Sequence, residues 1–192
     1  MRKPLVRKKG HLFNLDTGRD RILRLLFLYP HKEFTLSELA RLSKVSKSTA
    51  SKILLELQSE GFVTILDCGF VWRIRAEYES QTYRNEKIIT NLSVIVRTNI
   101  VEYLNSKYHP KNIILFGSFR KGEDAPGSDI DIATETDEDI ELEVLVFGDF
   151  KKIESQLERK IKIYRFNRER IDINLFNNIA NGIVLHGFLE VR

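Results

Sequence analysis

Three absences narrow the field first. A single cysteine, Cys68, stands in the 192 residues, so the chain closes no disulfide with itself and builds no cysteine-based zinc cage, a usage that suits a reducing compartment. The four histidines, His11, His31, His109 and His186, lie far apart without HxxxH spacing, which makes them surface or packing residues rather than ligands. Long apolar runs are lacking too. The most apolar early stretch, ILRLLFLYP, is interrupted by Arg24 and falls far short of the ~20 residues that cross a bilayer. The basic start MRKPLVRKKG is not followed by an apolar segment of signal-peptide length. The expected location is the cytoplasm, with no membrane partner.

What is present supports a folded, two-part chain. A hydrophobic content of 42% is enough for a core, and the length suits two compact units. Charge is uneven: residues 1–80 carry 15 Lys and Arg against 9 Asp and Glu, net +6, whereas the remainder is net −2. The first part is therefore the one suited to a polyanion.

Ile22, Leu25, Leu26 and Tyr29 fall on one helical face, and Pro30 stops that helix. A second helix starts at Thr35, where T-x-x-E has the form of a capping box, and it buries Leu36, Leu39 and Ala40. After a short turn, Ser46 caps a third helix with Ala50, Ile53, Leu54 and Leu57 at helical spacing; Gly61 suits its left-handed end. Two β-branched and aromatic runs, FVTIL and FVWRI, then flank Asp67-Cys68-Gly69 as a hairpin. Residues 77–87 are polar and mark a boundary. Beyond them Ile89, Leu92, Val96, Ile100 and Tyr103 predict one long helix to about Tyr108. The remainder reads as a strand (NIILF), a turn, a strand (SDIDIAT), an acidic loop, a helix and a strand (RIDINLF). The helix is clearest over KKIESQLERK and ambiguous over IELEVLVFGDF.

The segment TLSELARLSKVSKSTASKILLELQSEGFVTI resembles winged helix-turn-helix DNA-binding domains over roughly residues 17–78. In such domains the second helix of the motif enters the major groove of double-stranded DNA. Carried over by position, the resemblance implies Lys47, Ser48, Thr49, Ser51 and Lys52 as groove-facing residues. Arg73 and Arg75, on one face of the second wing strand, are candidate phosphate contacts, which supply affinity without sequence choice. Because winged helices read paired half-sites, a homodimer is the expectation.

In LFGSFRKGEDAPGSDIDIATET, Asp129 and Asp131 are two apart on a strand, so both carboxylates leave the same face, within reach of one divalent ion. Such closely spaced charges call for a cation, and oxygen-only ligands favour Mg²⁺ or Mn²⁺. Upstream, Gly117 permits a tight turn and Ser118 adds a hydroxyl beside exposed amides, an arrangement suited to phosphate. The spacing is not that of a Walker A loop. Arg120 and Lys121 are candidate partners for a polyphosphate, or solvated loop residues.

F-G-S, ten residues, then D-I-D-I resembles the signature of the polymerase-β-like nucleotidyltransferase superfamily, and GSFRKG…SDIDIA is similar to its minimal members, over about residues 90–190. The resemblance implies that Asp129 and Asp131 hold the metals of a nucleoside triphosphate, with ATP the first choice. It also implies that Gly117, Ser118 and Ser128 contact the nucleotide, and that a third carboxylate on a later strand, matched by Asp172, completes the metal site and the catalytic set. The implied chemistry is in-line attack of an acceptor hydroxyl on the α-phosphate, with pyrophosphate leaving.

The expected fold is α+β: an N-terminal winged helix of three helices and a hairpin (1–80), a connecting helix (81–109) and a small α/β nucleotidyltransferase domain with a mixed sheet (110–192). Two modules nearly consume the chain, so the acceptor is expected to be a macromolecule or a protein; the resemblance implies an antitoxin role, since small members of that family often act as antitoxins on a partner toxin. Two other readings stand beside this autoregulatory transferase: a transcription regulator whose transferase-like domain only senses nucleotide, and an active transferase with a protein-binding winged helix.

Overall fold

The computed structural model describes residues 17–190 and divides them into two compact units, one ending at Ile89 and the other beginning at Thr90. In the first, α1 (Gly18–Leu28) opens with a reciprocal cap between Thr17 and Asp20 and buries Ile22, Leu23, Leu26 and Phe27. β1 (Phe34–Thr35) leads into α2 (Leu36–Ser43), where the Thr35 hydroxyl accepts from Glu38 N at 3.2 Å. Lys44 takes a left-handed conformation and turns the chain into α3 (Lys47–Ser59), capped by Ser46 as its sequence predicts. β2 (Val63–Asp67) and β3 (Trp72–Ala76) form the wing, and β1 adds to β3, giving the antiparallel order β1-β3-β2.

The core of this unit gathers Ile22, Leu26, Leu39, Leu54, Leu57 and Ile74, all fully buried. Each such side chain is worth about 1.5–3 kcal/mol. α4 (Gln81–Arg97) contributes Tyr83, whose hydroxyl donates to Leu26 O at 2.8 Å and whose ring meets Phe27 edge-on.

The predicted single helix to Tyr108 is broken. α4 ends at Arg97, Asn99 takes a left-handed φ of 53°, and α5 (Ile100–Tyr108) restarts. Asparagine tolerates that conformation better than most residues. The break lets Val94, Ile95, Ile100 and Leu104 all be buried.

The second unit is built on β4 (Asn112–Phe116), buried throughout, followed by the short helix α6 (Gly117–Lys121) where a plain turn is expected. β5 (Asp129–Glu135) matches the predicted SDIDIAT strand. β6 (Leu142–Leu145) resolves the ambiguous IELEV region as an edge strand, followed by a short 3-10 turn, Gly148–Phe150. α7 (Lys151–Leu157) is shorter than the predicted helix, because Glu158 turns left-handed and β7 (Lys160–Phe166) begins at once. The alternation in KIKIYRF explains the strand: Ile161 and Ile163 are buried while Lys162 and Tyr164 lie half-buried on the other face.

RIDINLF is not a strand. Asp172 caps α8 (Ile173–Ala180), whose Leu175, Phe176 and Ile179 have helical spacing and pack in the core. β8 (Ile183–Gly187) completes a mixed sheet ordered β6-β7-β5-β4-β8, in which β5 and β7 are parallel and the other pairs antiparallel. No helix among the described residues is long and apolar enough to cross a membrane.

Candidate functional site

Each unit carries a candidate site. On α3, Lys47, Ser48, Thr49 and Lys52 are exposed and Ser51 is half-exposed. The helix owes this open side to the opposite stripe of Ala50, Leu54 and Leu57, which the core holds. The Ser46 hydroxyl contacts those of Ser48 (2.9 Å) and Thr49 (2.8 Å) as well as Thr49 N. The first turn of the helix is thus pre-ordered, with two lysines beside it.

Arg73 and Arg75 lie on one exposed face of β3, as expected, but both are engaged by a residue the sequence reading did not single out. Glu33 accepts from Arg73 Nη1 at 2.9 Å and from Arg75 Nε at 2.7 Å. These bonds, Arg75's foremost, hold the Glu33 carboxyl below its usual value. The wing tip itself, Cys68 to Val71, has no basic side chain, and Phe70 there is fully exposed.

In the second unit, β4 and β5 pair so that Phe116 faces Asp131. Gly117, the next residue, has φ 75°, and a Cβ there would collide with the Asp131 carboxylate. Gly117 is therefore needed twice, for its backbone angle and for the close approach of that carboxylate. Ser118 and Arg120 are half-buried on α6, and Lys121 is exposed at its end. Arg120 Nε is buried and finds no hydrogen-bond partner. Ser128 closes the turn before β5, its hydroxyl accepting from Ala125 N at 3.0 Å.

Asp129 and Asp131 are half-buried on one face of β5, as their spacing predicts. β7 runs parallel beside them with Asp129 level with Lys160 and Asp131 level with Lys162. Lys162 Nζ stands 2.6 Å from Asp129 Oδ2, and this bond raises the lysine's pKa. Burial pushes the Asp131 carboxyl above its usual value, while a hydrogen bond from the Tyr164 hydroxyl opposes the shift; Asp129 adds to it and Lys162 lowers it. Tyr164 is held edge-on by Phe116, with ring centroids 5.2 Å apart.

Asp172 does not join this pair. Its Oδ1 accepts from Asn174 N and Leu175 N, both at 3.0 Å, as the cap of α8. The physical reason is local: an Asp with a free helix end two and three residues on satisfies orphan amides there. Among the described residues no three His, Cys, Asp or Glu side chains gather at metal-binding spacing. As a cradle for Mg²⁺ or Mn²⁺ the residues fit poorly: two carboxylates are present, and an ammonium already bonds one of them. Lys162 and Tyr164 escaped the sequence reading, although the alternation of KIKIYRF was the signal that placed them on a strand face.

The loop between α6 and β5 is fixed from beneath. Asp124 and Arg159, whose side chains are 4% and 1% exposed, pair at 3.2 Å. Asn91 donates to Asp124 at 2.9 Å and to Phe119 O at 2.8 Å. This buried trio ties α4 and the start of β7 to the segment that carries Gly117 and Ser128.

The comparisons agree with this division. The family model for the IclR helix-turn-helix domain matches residues 20–65, and that for Polymerase beta, Nucleotidyltransferase matches residues 98–187. No curated protein and no solved structure matches the chain significantly. The two matches fall on the unit that presents α3 and on the unit that presents the Gly117 turn and the Asp129–Asp131 pair, and the chain thus joins a helix-turn-helix DNA-binding domain to a nucleotidyltransferase domain of the polymerase-β type.

Proposed function

We propose that the chain is a DNA-binding transcription regulator whose nucleotidyltransferase-type domain holds a nucleotide as an effector rather than as a donor. The observation that carries this is the make-up of the β5–β7 face: beside Asp129 and Asp131 the neighbouring strand offers Lys162 and Tyr164, and Asp172 is engaged at a helix cap. A two-metal transfer needs ions to clamp the attacking and leaving oxygens, and this face supplies two carboxylates with a cation among them. The Gly117–Ser118 turn, Arg120 and Lys121 remain as groups suited to a nucleoside triphosphate, with ATP the first choice. Lys47, Ser48, Thr49, Ser51 and Lys52 address the major groove of the operator, read as paired half-sites by a homodimer.

The experiment is binding of the chain to a fluorescent duplex from its own upstream region, with and without each of the four nucleoside triphosphates, alongside transfer of α-labelled nucleotide into cell extract with Mg²⁺ or Mn²⁺. The expected result is a nucleotide-dependent shift in DNA affinity without label transfer. By linkage, DNA must change the nucleotide's affinity by the same factor.

A second reading is favoured by one observation, the retained packing of Gly117 against Asp131. In it the domain transfers a nucleoside monophosphate to a protein acceptor such as a partner toxin, in the presence of Mg²⁺ or Mn²⁺, and the helix-turn-helix domain controls its own operon. A labelled acceptor that disappears in Asp129→Asn/Asp131→Asn would establish this reading and overturn the first.

A further inference from the structure

Of the two carboxylates of β5, Asp129 has a partner from β7: Lys162 Nζ lies 2.6 Å from its Oδ2, and Tyr164 stands two residues on along the same half-buried face of β7. The parallel register, Asp131 level with Lys162, sets this arrangement, and buried Ile161 and Ile163 lock β7 so that the polar face cannot turn away. Two carboxylates on one strand face repel each other, and a cation relieves the repulsion. A divalent ion and an ammonium are both hard cations that compete for the same oxygen lone pairs. Here the ammonium is tethered to the strand next door, so a free ion must displace a partner held at high effective concentration.

We propose that Lys162 is a built-in counter-ion that takes the place of divalent metal at the Asp129–Asp131 pair, leaving the pair without affinity for Mg²⁺ or Mn²⁺. The inference rests on the nucleotidyltransferase-type reading of this face, and it deepens the proposed function by separating nucleotide binding from metal. Lys162 acts as a positioning residue: it neutralises the pair, holds Asp129 against β7 and leaves the Gly117–Ser118 turn free to meet phosphate with Arg120 and Lys121.

The test is titration of Mn²⁺ into the full chain, followed by the electron paramagnetic resonance signal of the free ion, with no nucleotide present. The wild type and Asp129→Asn should deplete the signal equally little. Lys162→Met, which removes the ammonium, and Lys162→Asp, which adds a carboxylate, should bind Mn²⁺ about tenfold more tightly or better, the size, though with opposite sign, of the loss that removing a supporting partner brings to an occupied metal site. Lys162→Arg keeps the charge and should behave as the wild type. Mn²⁺ binding by the wild type that Asp129→Asn abolishes would overturn the proposal without needing any Lys162 variant to fold. Unchanged Mn²⁺ affinity in folded Lys162→Met and Lys162→Asp would overturn it as well. A separate titration of ATP, with Mg²⁺ and again in EDTA, distinguishes the two proposals: failure to bind in both counts against the nucleotide-effector reading, binding that needs Mg²⁺ counts against the separation of nucleotide from metal, and the Mn²⁺ series decides the role of Lys162.

Discussion

Replacing Glu33 by Gln should strengthen DNA binding although it touches no surface expected to meet a base. Glu33 engages both guanidinium groups of the wing, at 2.9 Å to Arg73 and 2.7 Å to Arg75, and both arginines are more than half exposed. An arginine paired with a carboxylate releases no counterion when DNA arrives, so on the proposed reading the wing adds little to the salt dependence of the wild type. The logarithm of affinity falls with the logarithm of salt at about 0.9 per neutralised phosphate. Two contacts imply about a 12-fold loss between 50 and 200 mM salt, and four imply about 150-fold. Glu33→Gln removes one negative charge from between two guanidinium groups, so it should steepen the slope by about 0.9 whatever other contacts exist. The assay is fluorescence anisotropy of a labelled non-operator duplex across that salt range, for which no operator need be known. An unchanged slope would refute the reasoning. Exposed ion pairs of this kind are weak, and such a result would mean that phosphate already pulls both arginines from Glu33 in the wild type.

Four further outcomes are expected. Asp124→Leu leaves a buried guanidinium without its carboxylate, so the second unit should lose about 3–5 kcal/mol in urea unfolding, and adding Arg159→Met should recover most of the loss; a loss under about 1 kcal/mol would show that the pair opens to water. In Gly182→Ala the new Cβ would stand 2.5 Å from Ile114 Cγ2 and 2.6 Å from Leu115 O, and overpacking of this kind costs about 1–3 kcal/mol by the same measurement. Ser46→Ala removes the α3 cap and should cost the first unit about 1 kcal/mol, with weaker DNA binding because Ser48 and Thr49 lose their shared partner. Glu33 has a folded pKa below its unfolded one, so its contribution is complete above the unfolded value and is lost as pH falls through the folded value. Thermal melts of wild type and Glu33→Gln should accordingly converge on acidification through the carboxylate range and separate at neutral pH.

The helix-turn-helix unit was legible because its determinants are local. Thr35 and Ser46 cap the helices they precede, and Leu39, Ala40, Ala50, Leu54 and Leu57 meet in the core at the spacing that marks a helix face. What escaped is contributed from a distance: Glu33 meets Arg73 and Arg75 some forty residues away, through the pairing of β1 with β3 that a two-residue strand does not announce.

The same distinction explains the nucleotidyltransferase site. Gly117, Asp129 and Asp131 were legible because a strand of period two places both carboxylates on one face and a turn needs a residue tolerant of positive φ. Asp172 looked equivalent, since D-I-N-L alternates as a strand does, yet Leu175, Phe176 and Ile179 satisfy helical spacing better and the carboxylate is taken by the helix end it precedes. Lys162 looked unrelated, since a helix read through Lys160 hid the start of its strand. Only the sheet order, with β7 parallel beside β5 and Asp131 level with Lys162, brings its ammonium to Asp129. A motif of paired aspartates is satisfied alike by a site open to metal and by one closed with a lysine. What separates the two is a residue more than thirty positions away, whose meaning depends on register and not on its neighbours in the chain.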